Sequence, residues 1–426
     1  MESHKSYLLK NAKILVAEGF IDSSLLVKDG KVFINPDEDR VDPDKIIDAR
    51  NCHIIPSFVD MHVHLREPGF SYKETIKSGS TAAAAGGFTT VCTMPNLNPA
   101  PDSLSHLRQQ LDIIEKDAMI QVIPFATITQ GRKGQGLVNY KELAPFVAGF
   151  SDDGSGVQSE GIMKEAMKEI AKTGKILSAH CEVESLLGGG YIHKGKYAEK
   201  HGHLGISSES EWKEVERNIR LVEETGCRLH VDHISTKETV ELIREAKKKS
   251  LPVTCETGPH YLTFSDENLL EHGRFKMNPP IRSIEDMMAL REGLIDGTID
   301  VIATDHAPHS IEEKSKGLEK SAMGVVGLET AFSAVYTTMV SSGLMPFERL
   351  LDAMTIRPRQ ILGLSPLPFL REGADANFTV INLKENFIVD PKEFKTMGRA
   401  TPYEGMNLQG KIKMTFYKGV PVYNTL

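Results

Sequence analysis

Histidine and aspartate residues recur where apolar, strand-like runs of this chain end. The first such run leads into His62 and His64, and alternate residues of a strand face the same side, so the pair could hold one ion. Later runs end in the same residue types. The candidate ligands are His62, His64, one of the neighbours Asp152 and Asp153, His180, His233 and Asp305.

Imidazole and carboxylate groups are typical ligands of Zn(II) and similar ions. Six side chains exceed what one tetrahedral ion needs, and a bridging carboxylate fits a two-metal site. Such a site lowers the pKa of a shared water molecule, so that hydroxide forms near neutral pH, and a neighbouring carboxylate can take and return the proton. The pattern therefore predicts metal-assisted hydrolysis.

The charge of this site favours an anionic substrate. Two divalent ions outweigh the negative charges of two aspartates and a hydroxide, and Arg66 adds a further positive charge. A planar guanidinium matches a carboxylate in bidentate fashion.

A histidine pair alone is a weak signal in a chain with 15 histidines. A second pair, His201 and His203, follows no apolar run, and we interpret it as part of a surface loop. Each candidate ligand taken singly is better explained as a helix cap or a satisfied polar group. That explanation is hard to sustain for six such residues at repeated strand ends.

The middle of the chain alternates apolar runs with segments of helical period, such as Gly161–Thr173, Ser208–Glu224 and Ser235–Lys249. Eight β runs separated by helices predict an α/β fold of the (β/α)8 barrel type, whose active face lies at the C-terminal strand ends. A doubly wound open sheet is the alternative. The runs are Ile54–Val59, Thr89–Thr93, Gln121–Ala126, Val147–Phe150, Lys175–Ala179, Arg228–Val231, Leu251–Cys255 and Ile299–Ala303.

Both ends of the chain consist of short alternating strands and turns. Asp29-Gly30 is a hairpin signal near the start, and Lys418-Gly419 marks a turn near the end. Two β-rich ends around a different middle predict one small β module built from both termini.

Composition excludes several classes of protein. The net charge of −8 gives no reason to expect a nucleic-acid or acidic-membrane partner. Five cysteines without a CxxC pair argue against a disulfide framework or a cysteine zinc cluster. The N-terminal residues lack a signal-peptide core and no apolar run reaches transmembrane length, so we expect a cytoplasmic protein.

Two stretches resemble the signatures of dihydroorotases, which are metal-dependent cyclic amidohydrolases. Asp60–Gly69 (DMHVHLREPG) is similar to the first signature and Ala303–His309 (ATDHAPH) to the second. Thr93–Asn96, the Asp152–Gly154 turn, His180 and His233 follow in the family's order, and the resemblance runs from about residue 8 to residue 424. It implies reversible ring opening of dihydroorotate to N-carbamoyl-aspartate in pyrimidine biosynthesis.

The resemblance also implies a domain organisation and roles for individual residues. It implies a hydrolase barrel over residues 53–364, flanked by a small β-sandwich from residues 1–52 and 365–426. Two Zn(II) ions per chain would be held, one by His62, His64 and Asp305, the other by His180 and His233, with Asp153 as the bridge and Asp305 as the catalytic proton shuttle. The substrate would be bound by His64, Arg66, Asn96, Asn278, His309, Met323 and Gly324.

Several alternatives stay open. Asp152 could replace Asp153 as the bridge, Asn96 and Asn278 could merely shape turns beside prolines, and Gly324 could serve a loop alone. The segment 153–159 is either a mobile flap or a plain turn.

The rival functions are a hydantoinase or allantoinase and a catalytically silent scaffold. Many members of the superfamily, including hydantoinases, allantoinases and some dihydroorotases, bridge their metals with a carboxylated lysine. No lysine lies between Phe150 and Gly161 here, which is similar to the longer-chain bacterial dihydroorotases. Tyr261 stands where that family often has a histidine, and we expect its neighbour His260 to pack or hydrogen-bond. A homodimer and association with aspartate transcarbamoylase are the partner hypotheses.

Overall fold

The computed structural model of the chain describes residues 5–365 and 367–426. The strands of this part are β1 (Tyr7–Val16), β2 (Gly19–Lys28), β3 (Lys31–Ile34), β4 (Lys45–Asp48), β5 (His53–Pro56), β6 (Phe58–Val63), β7 (Phe88–Thr93), β8 (Gln121–Pro124), β9 (Gly149–Phe150), β10 (Ile176–Ala179), β11 (Ile192–His193), β12 (Gly205–Ile206), β13 (Arg228–Val231), β14 (Val253–Thr257), β15 (Val301–Ile302), β16 (Phe378–Ile388), β17 (Asn407–Tyr417) and β18 (Val420–Asn424).

The α-helices of the same residues are α1 (Ile76–Ala85), α2 (Leu104–Asp117), α3 (Tyr140–Leu143), α4 (Glu160–Ala171), α5 (Lys196–His201), α6 (Glu209–Thr225), α7 (Lys237–Lys248), α8 (Pro259–Thr263), α9 (Ile284–Asp296), α10 (Ile311–Lys314), α11 (Gly317–Lys320), α12 (Ala331–Val335), α13 (Phe347–Leu351) and α14 (Arg357–Leu362). Within the described residues, no helix combines the length and the apolar character needed to cross a membrane.

Strands from both termini form one eight-stranded sheet, as their alternating pattern predicts. Seven of the strands follow the order β18-β17-β16-β5-β1-β2-β3, and the eighth, β4, also pairs with β1. The predicted hairpin turn between β2 and β3 is confirmed: Asp29 and Gly30 both have positive φ, 51° and 74°, which a tight hairpin turn requires. The two ends of the chain are therefore joined through backbone hydrogen bonds.

The central strands are parallel and lie in two sheets. The first has the order β6-β7-β8 and the second β9-β10-β13-β14-β15. Single parallel bridges connect their edges, from Ala126 to Phe150 and from Val63 to His306. Because every neighbouring pair is parallel, the carboxyl ends of these strands face the same way, and helices connect them in a mixed α/β arrangement.

The predicted run Ile54–Val59 is two strands, not one. β5 pairs with β1 and β16 in the terminal sheet, whereas β6 opens the first parallel sheet. The break comes at Pro56, which has no N–H to continue a ladder. The two halves are both buried and apolar, and the division is marked only by the Pro56-Ser57 pair at their junction.

The three helices predicted by period are confirmed as α4, α6 and α7. In α4 the side chains of Met163, Ala166, Met167 and Ile170 are buried, which is the spacing of one helix face. The Ser159 hydroxyl accepts a hydrogen bond from the Ile162 N–H and begins this helix. These helices pack against the parallel strands and hold the strand ends in place.

The buried side chains of Glu74 and His306 form a pair near the ends of β6 and β15, the first and last parallel strands. His306 Nε2 lies 3.3 Å from a Glu74 carboxylate oxygen, and its backbone carbonyl accepts a hydrogen bond of 2.9 Å from the His64 N–H. The Glu74 carboxylate also accepts from the Thr396 hydroxyl and the Met397 N–H. This network brings His64 beside Asp305, although the two are far apart in the chain.

Candidate metal centre

The six candidate ligands of the sequence analysis meet at the carboxyl ends of the parallel strands. Asp153 lies between the four histidines: its Oδ1 is 3.4 Å from His62 Nε2 and from His233 Nε2 and 3.5 Å from His180 Nδ1, and its Oδ2 is 3.4 Å from His64 Nε2. Asp305 Oδ1 completes the group, 3.0 Å from His64 Nε2. No side chain of the six is more than 8% exposed.

The ligand atoms form two groups that share Asp153. His62, His64 and Asp153 form one, and Asp153, His180 and His233 form the other; in each, the atoms lie within 4.8 Å of one another. A carboxylate common to two such groups is the arrangement that a two-metal site needs.

The side chains of the two neighbouring aspartates point in different directions. Asp152 turns away from the histidines and accepts hydrogen bonds from the Ile128 N–H (2.8 Å), the Thr129 N–H (3.1 Å) and the Thr129 hydroxyl. Its two oxygens are thereby occupied, and only Asp153 faces the imidazoles. Asp152 and Asp153 follow the end of β9, and successive side chains leaving a strand point to opposite sides, which accounts for the division.

Two of the candidate ligands have a left-handed backbone. The φ angle is 31° at His233 and 46° at Asp305, a region that non-glycine residues seldom occupy. Strain of this kind is concentrated at functional sites, where the surrounding structure holds it. Here it turns both side chains from the ends of β13 and β15 toward Asp153.

One buried nitrogen atom of this cluster lacks the partner that a bound cation would supply. His62 Nε2 is buried and has no hydrogen-bond partner in the described part of the chain, although it faces the oxygens of Asp153 and Asp305 at 3.4 and 3.7 Å. Burial opposes ionisation of Asp153, but His62 and hydrogen bonds from His180 and His233 hold its pKa well below its ordinary value. An ionised carboxylate among imidazole nitrogens is chemistry suited to a divalent metal.

Beside these ligands lies a cavity of about 230 Å³. It is lined by predicted substrate-binding residues together with all the candidate ligands except the deeper His62: His64, Arg66, Asn96, Asp153, His180, His233, Asn278, Asp305, His309, Met323 and Gly324. The size suits a small molecule, and the sequence-predicted site is therefore brought together as a whole.

Arg66 makes positive the wall of the cavity that it forms with His309. Burial lowers the pKa of Arg66 to about 10, so that the guanidinium is still charged at neutral pH. Burial, with Arg66 and Lys73 nearby, lowers the pKa of His309 to about 3, so that its imidazole is neutral. Lys73 Nζ donates to His309 Nδ1 (3.2 Å), and His309 Nε2 donates to the Met323 carbonyl (2.7 Å).

The two asparagines have partners that the sequence did not indicate. Asn96 Oδ1 accepts from His64 Nδ1 at 2.8 Å, which orients that imidazole and leaves the Asn96 amide N–H groups for a ligand. Asn278 Nδ2 donates to Glu182 Oε1 at 2.9 Å, and its Oδ1 is buried without a partner. Both residues therefore do more than shape a turn.

Gly324 is required at its position on two counts. Its φ is 130°, and a Cβ atom there would lie 2.7 Å from the Ala307 carbonyl oxygen. A side chain at this position would push into the part of the cavity wall that Met323 and His309 form.

Residues that sequence reasoning missed lie around the cluster rather than in it. Glu182 Oε2 is 3.6 Å from His180 Nε2, Glu256 accepts from His62 Nδ1, and Arg132 donates to the Asp153 carbonyl. No motif marks Glu256 or Arg132, because each comes from a segment distant in the chain from its partner. Only Glu182, two residues after His180, could have been suspected from spacing.

Three further histidines lie outside the cavity: His201, His203 and His260. His203 is bonded to the Tyr191 hydroxyl and to Glu271 (2.8 and 2.6 Å), and His201 ends helix α5. His260 is buried beside Tyr261, and burial lowers its pKa to about 4. Packing rather than ligation accounts for these residues.

Comparison with known proteins agrees with this geometry. Residues 52–239 match the family described as Dihydro-orotase-like. The dihydroorotase of Fusobacterium nucleatum is 45% identical over 98% of both chains, and that of Enterococcus faecalis is 45% identical over 97% of both.

Among solved structures, the chain is similar to the L-hydantoinase (dihydropyrimidinase) of Arthrobacter aurescens, with a TM-score of 0.86, 28% identity and coverage of 99% of this chain and 96% of that one. A Thermus D-hydantoinase shares the fold at 23% identity, with a TM-score of 0.83 over 98% and 95% of the two chains. Identity over nearly the full length, together with the assembled histidine and aspartate cluster, shows that the chain belongs to the dihydroorotase family of cyclic amidohydrolases.

Proposed function

We propose that this chain interconverts (S)-dihydroorotate and N-carbamoyl-L-aspartate, with ring closure as the direction used in pyrimidine biosynthesis. The observation that carries the proposal is the shared cavity of about 230 Å³, where four imidazoles and two aspartates meet the Arg66 guanidinium. Hydrolysis of a cyclic amide and capture of a carboxylate are the two tasks that these groups suit.

Two Zn(II) ions fit the donor set. His62, His64 and Asp305 would hold one and His180 and His233 the other, with Asp153 common to both; the unpartnered His62 Nε2 supports this assignment. When bound, the ions supply Lewis acidity, which lowers the pKa of water and polarises a carbonyl oxygen.

Asp305 is the group that moves the proton. Burial opposes its ionisation, but the neighbouring imidazoles of His64 and His62 lower its pKa, so that the carboxylate is ionised at neutral pH. It can take a proton from the attacking water at a carboxylate oxygen and return it to the ring nitrogen that leaves. In ring closure the same oxygen takes the proton from the carbamoyl nitrogen.

The substrate carboxylate lies against the positive wall. Arg66, the free amide N–H groups of Asn96 and the edge of His309 bind it, and His64 lies beside it. Asn278 and the backbone of Met323 and Gly324 contact the ring. This orientation directs the amide bond that is cleaved toward Asp153 and Asp305.

The wider organisation follows from the family resemblance. The (β/α)8 barrel expected over residues 53–364 would begin after β5 (His53–Pro56), which pairs within the sheet of the two termini. The bridges from Ala126 to Phe150 and from Val63 to His306 support closure of its eight strands. The described strands before residue 57 and after residue 365 would form the β-sandwich. Light scattering, alone and with an aspartate transcarbamoylase, distinguishes a homodimer from a mixed assembly.

A hydantoinase activity is the second candidate, favoured by the solved structures that share the fold. The presence of Asp153 where a lysine would be required, and of Arg66 in the cavity, argues against it. A silent scaffold is disfavoured because five of the candidate ligands form two groups around Asp153 and the sixth, Asp305, lies 3.0 Å from His64 Nε2.

The direct test measures dihydroorotate hydrolysis by its loss of ultraviolet absorbance and quantifies zinc in the same sample. We expect activity with two zinc ions per chain, and no turnover after chelation until zinc is restored. Bound zinc with activity on hydantoin but not on dihydroorotate would support the second candidate. A chain with neither zinc nor activity would support the scaffold.

Arg66→Met is expected to raise KM for dihydroorotate about 10- to 100-fold, because a charged hydrogen bond to the carboxylate is lost. Turnover of 5,6-dihydrouracil, which lacks the carboxylate, should change little, so the ratio of the two kcat/KM values is the informative measurement. The control is Arg220→Met, which removes an exposed arginine that pairs with Glu160. An equal loss on both substrates would argue against carboxylate binding by Arg66.

A further inference from the structure

A buried carboxylate lies on the side of His62 opposite the proposed metals. Glu256, in β14, is 0% exposed. Its Oε1 is 2.8 Å from His62 Nδ1 and 3.4 Å from the His233 backbone N, and its Oε2 is 3.2 Å from His230 Nε2. The catalytic steps described above do not use this residue.

The surroundings of Glu256 indicate an ionised acceptor. Three nitrogen atoms that can each donate a hydrogen bond converge on its two oxygens, and a carboxylate satisfies all of them. The Thr254 hydroxyl, 2.8 Å from His230 Nδ1, holds this imidazole in place. The carboxylate is therefore anchored on the side away from the cavity.

The consequence for His62 is a defined tautomer. When Nδ1 donates its hydrogen to Glu256, Nε2 carries the lone pair. That nitrogen is the one that faces Asp153 Oδ1 at 3.4 Å and Asp305 Oδ1 at 3.7 Å and has no hydrogen-bond partner. The opposite tautomer would place a hydrogen where a metal ion is proposed.

The other candidate histidines lack an equally close carboxylate on this outer side. His64 Nδ1 is bonded to the Asn96 amide, His180 Nε2 is 3.6 Å from Glu182, and His233 Nδ1 has no hydrogen-bond partner among the described residues. His62 is thus the ligand whose orientation depends most on a charged neighbour.

We propose that Glu256 is a positioning residue that holds the tautomer and ring orientation of His62 and thereby sets the affinity of the ion held with His64 and Asp305. The inference rests on the proposed metal centre. Loss of such an outer partner typically weakens metal binding about 10- to 100-fold.

The test measures zinc affinity and stoichiometry in buffered zinc with the full chain. We expect Glu256→Leu to bind one ion about 100-fold more weakly and Glu256→Gln about tenfold more weakly, since the amide oxygen still accepts from His62. The other ion should be retained. The matched control is Thr254→Val in the same strand, which touches His230 but none of the proposed ligands and should bind both ions as the unmodified chain does.

A double-variant cycle separates positioning from a general loss of structure. In a His62→Ala background, Glu256→Leu should have no further effect on zinc affinity, because its effect passes through His62. A further loss of the same size would overturn the proposal, as would unchanged affinity for both ions in the single variants. If Glu256→Leu does not fold, wild-type zinc affinity in Glu256→Gln decides against the proposal.

The outcomes also distinguish this inference from the proposed function. An unmodified chain that binds no zinc overturns the metal centre and this inference with it. An unmodified chain and a Glu256→Leu variant that both bind two ions with equal affinity overturn only the role of Glu256. Two bound ions without activity on dihydroorotate overturn only the substrate.

Discussion

Asp305→Asn is expected to lower kcat for dihydroorotate by at least about 10³-fold, because it removes the proton-transferring carboxylate and a proposed zinc ligand. The amide has nearly the same shape, so the cavity beside it should persist. Both directions of the reaction should be affected alike, since the same oxygen takes and returns the proton. The measurement is kcat for ring opening and for ring closure, with zinc quantified in each preparation.

The control for this substitution is Asp296→Asn, which alters an exposed aspartate paired with Arg244 at the end of α9 and should leave kcat unchanged. Zinc content separates the two roles of Asp305. A variant with full zinc and low kcat has lost proton transfer, and a variant with less zinc has lost a ligand as well. Full activity with both ions bound would contradict the proposed mechanism.

Asp153→Ala is expected to abolish measurable activity and reduce bound zinc to at most one ion, because the two groups of candidate ligands share this carboxylate. The same substitution at the neighbouring residue, Asp152, provides the comparison. Asp152→Ala removes the acceptor of the Ile128 and Thr129 N–H groups and should lower the free energy of unfolding by about 2 kcal/mol or more. It should still bind two zinc ions at low temperature.

Zinc analysis and denaturant unfolding of the two variants test this contrast. Loss of zinc in Asp152→Ala with retention in Asp153→Ala would reverse the assignment of the bridge. Equal loss in both would indicate that the loop as a whole, rather than one carboxylate, carries the site. The Asp153 carbonyl is held by Arg132, so the loop has a support independent of either carboxylate.

Local sequence patterns were sufficient for much of the fold. Alternation predicted strands at both ends of the chain and the Asp29-Gly30 turn, and helical period predicted α4, α6 and α7. These patterns succeed because burial of one face repeats at the period of the element. The prediction of Ile54–Val59 as one strand was wrong because β5 and β6 are both buried and apolar, and only Pro56-Ser57 marks the point where the chain passes from one sheet to another.

The sequence by itself determined which residue types end the parallel strands, and with them the set His62, His64, His180, His233 and Asp305 and the class of chemistry. Only the tertiary structure decided that Asp153 rather than Asp152 faces that set, that Asn96 orients His64, and that Glu256 lies behind His62. The physical reason is the separation in the chain of the residues involved. Side-chain alternation is a property of neighbouring residues, whereas these hydrogen bonds join segments that only the folded sheets bring together.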